Sequence, residues 1–251
     1  MGRPSLHVAV AVLLVLAGCS VFGTEAVRES DAVDRLNATQ DRVNATSSYR
    51  YDMTIDVSTT RSDERISGDG VGEVNATARR KVVDATIDGK SALTYLDNST
   101  AYTKCTSPPG YWSGQPLSTG PNWTNATTLD RQLGLLRTGD LYHNGTETIE
   151  GREVVHLSGR PRHSALAGDS AGSSGVLGLG GPNVDEVTVD LWVDAATNRP
   201  VRTELRTTAR AGGETGTANL SVRYRDYGDR VRIAIPERAR DPFFEDGCPG
   251  S

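Results

Sequence analysis

The chain has few residues of the kinds on which metal sites and nucleic-acid interfaces depend. It has 4 histidines and only 3 lysines in 251 residues, and its formal net charge is −5. None of the histidines stands at a metal-ligand spacing from another histidine or from a cysteine. The acidic balance excludes the clustered basic surface that nucleic acid requires. We therefore expect no metal, no cofactor and no nucleic-acid partner.

The sequence also lacks an apolar run long enough to span a membrane, which takes about 20 residues. The run Val8–Ala17 has 10 residues, follows Arg3 and fits the hydrophobic region of a signal peptide. Leu16-Ala17-Gly18-Cys19 resembles the lipobox of prokaryotic lipoproteins, whose cysteine is lipidated before cleavage. We expect residues 1–18 to be a signal peptide and residues 19–26 a tether. The mature chain is then exported and anchored through lipid on Cys19 to the outer face of the cytoplasmic membrane. An ordinary secretory signal with an incidental cysteine is the alternative.

The low cysteine count supports lipidation of Cys19. Three cysteines are an odd number for an exported protein, and one of them needs a role outside a disulfide. If Cys19 carries lipid, Cys105 and Cys248 remain as a pair that oxidising conditions outside the cell would join. Such a bridge would tie the C-terminal tail, residues 241–251, to the middle of the domain. Two unpaired thiols are the alternative.

Acceptor sites for N-glycans are, by contrast, abundant. Eight of the 10 asparagines begin an Asn-x-Ser/Thr sequon. Since 46 of the 251 residues are Ser or Thr, only about two would do so by chance. This excess indicates a glycosylated, exported protein. The candidate sites are Asn37, Asn44, Asn75, Asn98, Asn122, Asn125, Asn144 and Asn219.

Most of the chain after residue 48 alternates between apolar and polar residues, which is the pattern of half-buried strands. The runs that share one face are Tyr51, Met53 and Ile55; Val187, Val189, Leu191 and Val193; Val201, Thr203 and Leu205; Leu220, Val222 and Tyr224; and Val231, Ile233 and Ile235. Residues 25–44 and 128–137 have helical spacing instead. A sheet that is apolar on one side needs cover there. We therefore expect a mainly β domain with a few helices (α+β) over residues 27–240. Its curved antiparallel sheet, an unclosed half-barrel, would wrap around an N-terminal helix and a short central helix.

Residues 163–185 interrupt this pattern with a Gly- and Ser-rich stretch. We interpret it as a flexible insertion between strands, with a mobile flap over the sheet as the alternative. Within it, Gly168-Asp169-Ser170-Ala171-Gly172 matches the nucleophile motif of esterases. That chemistry needs a helix after the serine and a later histidine. Ser173-Ser174-Gly175 does not favour a helix, and no histidine follows His163. We expect no enzymatic activity.

Several short stretches resemble a known family. They are Ser48–Tyr51, Leu96–Tyr102, Leu191–Asp194 and Tyr224–Gly228. Together with the lipobox, the helix and the strands, they resemble the LolA-type lipoprotein carriers and LprG-type lipid-binding lipoproteins. The nearest resemblance is to lipoproteins of halophilic archaea, which also share the excess of Asp and the scarcity of Lys; GC-rich coding alone is another source of the Arg bias.

The resemblance implies an unclosed barrel with helices as a lid and a lipid or other apolar ligand inside. The inward residues expected to line that cavity are Tyr51, Met53, Ile55, Val187, Val189, Leu191, Val193, Leu205, Leu220, Val222 and Tyr224. We expect the membrane, through the lipid anchor, and an apolar ligand as partners. Aromatic residues are only 6% of the chain, which favours a narrow hollow or a filled core. A non-catalytic structural or interaction protein of the cell envelope, with a filled core, is therefore the alternative function.

Overall fold

The computed structural model describes residues 26–60, 65–116, 128–162, 184–211, 213–245 and 247–248. Eleven strands and three helices lie in these ranges. Several sequence predictions fall outside the described residues. These are the signal peptide, Cys19, the sequons at Asn122 and Asn125, the motif around Ser170 and nearly all of the insertion 163–185.

The strands and helices follow the predicted order. The helices are α1 (Ser30–Asn44), α2 (Thr128–Leu136) and α3 (Glu237–Arg240). The strands are β1 (Ser48–Thr59), β2 (Arg65–Asn75), β3 (Arg80–Ile87), β4 (Lys90–Asp97), β5 (Thr100–Lys104), β6 (Trp112–Pro116), β7 (Asp140–Ile149), β8 (Arg152–Arg160), β9 (Val184–Asp194), β10 (Pro200–Ala211) and β11 (Glu214–Arg225). Asp88 and Gly89 turn the chain between β3 and β4 with φ values of 50° and 70°, the left-handed conformation of a two-residue hairpin.

All the strands belong to one antiparallel sheet. Its order is β6-β5-β4-β3-β2-β1-β11-β10-β9-β8-β7, so β6 and β7 are the edges and the curved sheet stays open. Strands β1–β6 form a meander in the first half of the sheet, and β7–β11 form another in the second half. The halves meet where β1 pairs with β11, for example Tyr51 with Tyr224. The unclosed half-barrel expected from the sequence is confirmed.

The inner face of the sheet carries the main core. Helix α1 packs chiefly against β7, and α2 against β8, β9 and β10. Their leucines, Leu36 and Leu133, join inward residues of those strands such as Leu157 and Leu191 in one buried cluster. The two helices thus cover the half of the inner face built by β7–β10, as a lid would.

The outer face is less polar than the alternation predicted. Trp192, Val154 and Val201 form a second, small buried cluster there. We expected Val201 to share a face with Thr203 and Leu205, and this is wrong. The register between β9 and β10 shifts between Pro200 and Arg202, which inserts Val201 as an extra residue and turns it outward.

The segment after β11 crosses the outer face instead of adding a strand. Residues 231–235 were expected to form a short strand, but within the described chain they join no ladder. Val231 and Ile233 are nevertheless buried. The side-chain amide of Asn75 donates to the carbonyl of Val231 at 2.8 Å, and Arg80 donates to that of Ile233 at 3.4 Å. We call residues 229–248 the C-terminal strap.

The strap ends on the far edge of the sheet. Ile235 and Ala239 of the strap pack against Trp112 of β6 and its aromatic neighbours on β4 and β5. The amide of Gly114 then donates to the carbonyl of Phe244 at 2.8 Å. A disulfide between Cys105 and Cys248 fixes the end of the strap, and this confirms the predicted pairing.

Candidate functional site

The inner face divides into a covered half and an open half. Under the helices, inward residues such as Val189, Leu191 and Val222 are fully buried. On β1–β4 the register also turns Lys81, Lys90 and Thr94 inward. A group of apolar residues on the inner face there is only half-buried, and Ile66 is 38% exposed. We call this region the apolar patch. It consists of Met53, Val57, Ile66, Val83, Ile87 and Ala92, which share the inner face through direct cross-strand pairing.

Three glycines of β2 form the floor of the patch. Gly68, Gly70 and Gly72 point inward opposite Ile55, Met53 and Tyr51. A Cβ built at Gly70 would lie 2.8 Å from the Cβ of Ala85, and one at Gly72 would overlap the ring of Tyr51. The glycines therefore let neighbouring strands and the Tyr51 ring approach the β2 backbone closely. Their alternation is that of residues on one face of a strand.

Tyrosine side chains separate the two halves. The ring centroids of Tyr49, Tyr51 and Tyr224 lie 6.0 to 6.4 Å apart. The Tyr224 hydroxyl donates to Oε1 of Gln132 on α2 at 3.2 Å and lies 3.1 Å from Oγ1 of Thr203. Burial raises the pKa of both Tyr51 and Tyr224 well above the usual value. Both hydroxyls therefore keep their protons at neutral pH.

A buried lysine lies beside this tyrosine cluster. Lys81 points inward from β3, is 7% exposed, and its Nζ lies 5.9 Å from the centroid of the Tyr51 ring. Loss of hydration lowers the pKa of Lys81 to about 8; repulsion from Arg131 adds to this, and attraction to Asp130 opposes it. Both charged neighbours lie in the first half of α2, so Lys81 lies where this helix meets the apolar patch.

Sequence reasoning missed Lys81, although the signal was present. In β3, the alternation that turns Val83 and Ala85 inward turns Lys81 inward too. It is also one of only 3 lysines. A scarce cation at an inward strand position is the pattern that would have identified it.

The predicted cavity residues all lie on the inner face. All of them are buried except Met53, which is half-buried. Those on β9, β10 and β11 pack in the main core, whereas on β1 Met53 belongs to the apolar patch and Ile55 adjoins it. That these residues line a ligand cavity stays a prediction.

The described sequons differ in their environment. Asn37, Asn44, Asn98 and Asn144 are exposed, and Asn75 and Asn219 are half-buried. The side-chain nitrogen of Asn75, to which a glycan would attach, donates to the strap at Val231. A glycan there would compete with that bond. Glycosylation stays a prediction at every site.

Other polar groups form structural contacts. Nε2 of His156 lies 2.9 Å from Oδ1 of Asp190, and its ring stacks on Trp192 at a centroid distance of 4.6 Å. Within the described ranges, no group of three or more His, Cys, Asp or Glu side chains is placed to hold a metal ion. No helix found there has the length and apolar character needed to cross a bilayer.

Two solved structures with a similar fold come from mycobacteria. The chain is similar to LprF from Mycobacterium bovis, with 16% identity, a TM-score of 0.52, and coverage of 84% of this chain and 99% of LprF. It is also similar to the lipoprotein LppX from Mycobacterium tuberculosis, with 15% identity, a TM-score of 0.50, and coverage of 82% and 100%. No family model matches the chain, and no curated protein does so. At these identities the similarity establishes the fold alone: over most of its length, this chain has the fold of LprF and LppX.

Proposed function

We propose that the protein is an exported lipoprotein, anchored to the outer face of the cytoplasmic membrane through Cys19, that binds a lipid or other apolar ligand. The observation that carries the proposal is the apolar patch, a half-exposed apolar surface inside a curved sheet. Its residues, among them Met53 and Val83, lie beyond the strands that the helices chiefly cover. Contiguous exposed apolar surface is unfavourable in water and marks a binding site more often than it marks a plain surface.

The geometry of the patch suits a chain-like apolar ligand. The glycines of β2 present no side chains on the patch. The side chains that flank them, such as those of Met53 and Ala92, are flexible or small. Each methylene of a ligand that leaves water against this surface contributes about 0.8 kcal/mol. A hydrocarbon chain can therefore bind by contact area alone.

Export and anchoring rest on the sequence. The lipobox ends at Cys19, the sequons are in excess, and the other two cysteines form a disulfide. The same fold occurs in LppX, which is a lipoprotein. A halophilic archaeal source is part of the proposal and rests on the bias towards Asp and away from Lys.

An exposed aromatic cluster on the C-terminal strap favours a second candidate function. Tyr111 and Phe243 are 43% and 70% exposed, and their ring centroids lie 5.0 Å apart beside Phe244. Two of the 3 phenylalanines of the chain thus lie in one aromatic cluster on the strap. Aromatic side chains are enriched at protein interfaces. A non-catalytic interaction protein of the cell envelope would use this cluster and leave the patch empty.

Ligand binding is tested with a neutral apolar fluorophore, N-phenyl-1-naphthylamine, and by native mass spectrometry after gentle extraction. We expect a non-covalent adduct of lipid mass and saturable binding of the fluorophore. Val83→Asn places an amide on the patch and should weaken fluorophore binding about tenfold, because an unpaired buried amide costs about 1–3 kcal/mol. Val71→Asn, on the outward face of the adjacent strand and exposed, should leave binding unchanged.

A variant in the main core tests whether ligand binding depends on the apolar patch and not on the buried core. Leu191 is 0% exposed in the main core, so Leu191→Ala should cost about 2–5 kcal/mol of unfolding free energy. Fluorophore binding by the folded fraction should stay near the wild-type level. If native mass spectrometry finds the protein without any adduct and the fluorophore does not bind, the ligand-binding function is wrong and the interaction protein of the cell envelope is favoured.

A further inference from the structure

The two edge strands of the sheet begin at the same end of the domain. All neighbouring strands are antiparallel, so every second strand in the order runs in the same direction. Strand β6 is the first of that order and β7 is the eleventh, and both therefore start at one end. Val27, which follows the proposed tether, lies at that end, because its carbonyl accepts from the amide of Leu141 near the start of β7 at 2.8 Å. We call it the entry end.

The aromatic cluster of Tyr111, Phe243 and Phe244 also lies at the entry end, because it adjoins the first residue of β6. The amide of Phe243 donates to the carbonyl of Trp112 at 3.0 Å, and Tyr111 directly precedes this strand. The ring centroid of Tyr111 lies 5.0 Å from that of Phe243 and 6.0 Å from that of Phe244. With Phe243 70% exposed, the three rings form one partly exposed surface at the end where the tether would attach.

Large apolar side chains that are exposed concentrate at the same end. Within the described ranges they are Val27, Ile66, Val71, Tyr111 and Phe243. Ile66 is the second residue of β2, a strand that starts at the entry end. Val71, in the middle of β2, is the one among them that lies away from this end. Such a concentration of exposed apolar groups marks an interaction surface.

The apolar patch extends to the entry end as well. Strands β1 and β3 end there, and β2 begins there. Val57, near the end of β1, pairs with Ile66, and Ile87 is the last residue of β3. Ile66 is exposed, whereas Met53, farther from this end, is half-buried. The open margin of the patch therefore lies at the same end of the domain as the aromatic cluster and the proposed tether.

From this juxtaposition we infer that the aromatic cluster docks on the outer surface of the lipid bilayer and turns the open margin of the apolar patch toward the membrane. The inference rests on the proposed function, from which it takes the anchor at Cys19 and the apolar ligand. A short tether that attaches at the entry end keeps that end nearest the bilayer. Aromatic side chains are favoured at the interface between membrane and water, where their rings leave water.

The contact is apolar and weak. Exposed charged residues next to the rings in the chain have both signs, namely Arg240, Asp241 and Glu245, so docking does not require charged lipid. A single acyl chain gives only marginal membrane binding, and the exposed rings bury no more apolar surface than such a chain. The cluster therefore orients an anchored domain and does not hold a free one at the membrane.

The test measures contact between the cluster and lipid. The lipidated protein is reconstituted in phosphatidylcholine vesicles whose acyl chains carry bromine near the carbonyl end, which quenches tryptophan on contact. Phe243→Trp places a reporter in the cluster. The matched control is Val71→Trp, at an exposed outward position in the middle of the sheet, and the wild-type protein gives the background of the native tryptophans. We expect quenching of Phe243→Trp to be at least about fivefold stronger than that of Val71→Trp.

Two further measurements sharpen the test. The quenching of Phe243→Trp should be the same at low salt and in about 1 M KCl, because salt screens contacts between exposed charges and not apolar ones. Adding Tyr111→Ser should lower it several-fold while the protein stays on the vesicles, since that ring is part of the docking surface. Should Phe243→Trp fail to fold, Tyr111→Trp serves as the reporter.

Each outcome has a separate meaning. If quenching of Phe243→Trp is no stronger than that of Val71→Trp while the protein remains on the vesicles, the bilayer is not what covers the cluster. A dimer of the Cys19→Ser protein in sedimentation, lost in Phe243→Ser, would then show that a second copy of the chain covers it. A protein that leaves the vesicles overturns the anchor and this inference together. Strong quenching without binding of N-phenyl-1-naphthylamine supports the docking and overturns the apolar ligand alone.

Discussion

At the scale of single residues, side-chain size on the inner face decides where the interior is filled and where it is open. Tyr51 fills the space above Gly72, so closely that a Cβ on the glycine would overlap its ring. Further along β2, Gly68 and Gly70 face Ile55 and Met53, which are smaller than tyrosine. The inner face is therefore filled by an aromatic ring beside Gly72, and it is lined by aliphatic side chains beside Gly68 and Gly70.

The Tyr51–Gly72 contact makes a testable prediction. Gly72→Ala should lower the free energy of unfolding by about 1–3 kcal/mol, because overpacking forces the buried ring to shift. The matched control is Gly134→Ala in α2, where, among the described residues, nothing outside the helix backbone lies within 4 Å of an added Cβ. That variant should gain about 0.5–1 kcal/mol, since glycine is unfavourable inside a helix.

Urea titration followed by tryptophan fluorescence measures both variants. If Gly72→Ala is as stable as the wild-type protein, the Tyr51 ring does not occupy the place assigned to it. A destabilised Gly134→Ala would show instead that alanine is poorly tolerated generally.

At the scale of strands and helices, period-two alternation was enough to predict most of the sheet. It predicted the strand from Tyr49 and the face of Val187–Val193, because a strand with one buried face must alternate. It missed β6, since Trp112–Pro116 contains Gly and Pro and no alternation. This strand depends on tertiary partners, namely β5 and the strap. Local sequence does not specify those partners.

Alternation also failed where the pairing register changes. The shift next to Val201 depends on how β9 and β10 align, and a single strand carries no sign of it. Residues 231–235 have a strand pattern, yet they bury Val231 and Ile233 by crossing the outer face. The candidate site was predictable in part: inward apolar residues on β1 were identified, but the opening of the patch depends on which strands the helices cover.

The disulfide makes a prediction about the C-terminal strap. Cys105 and Cys248 are 143 residues apart, so the double variant Cys105→Ser/Cys248→Ser should lose up to about 5 kcal/mol on the chain-entropy account. The strap should also become the first part of the protein to lose amide protection in hydrogen exchange, because the disulfide is the covalent link that ties its end to the sheet.

Hydrogen exchange of the wild-type protein and of the double cysteine variant is compared by mass spectrometry of their peptides. The control is a peptide from β10 in the main core, whose protection should fall only with global stability. Equal protection of the strap before and after the substitution would mean that its packing against Trp112, and not the disulfide, holds it in place.

At the scale of the whole molecule, both edges of the open sheet are covered by segments near the chain ends. The amide of Leu141 on β7 donates to the carbonyl of Val27 at 2.8 Å, and the amide of Phe243 in the strap donates to that of Trp112 on β6 at 3.0 Å. Uncovered edges invite pairing with other molecules. The edge strands are thus protected while the inner face keeps its apolar patch.

The N-terminal edge segment also places the domain relative to the proposed anchor. Val27 is already hydrogen-bonded, through its amide, to Asp140 at 2.8 Å, so in the proposed anchored protein the tether between lipid and domain would be residues 19–26. Eight residues reach at most about 26–29 Å when fully extended. An anchored domain would therefore stay within a short distance of the membrane surface, where the proposed apolar ligand would pass between bilayer and patch.

The anchor itself gives the last prediction. Cys19→Ser removes the thiol that carries the lipid, and we expect the protein to move from the membrane fraction into the medium, because no other part of the proposed design holds it to the bilayer. The released protein should keep its fold and should still bind N-phenyl-1-naphthylamine, since the patch lies in β1–β4. Cys105→Ser/Cys248→Ser, which leaves Cys19 intact, is the control and should remain with the membrane. Immunoblotting of the two fractions decides: a Cys19→Ser protein that stays in the membrane fraction contradicts the lipid anchor, whatever the result for ligand binding.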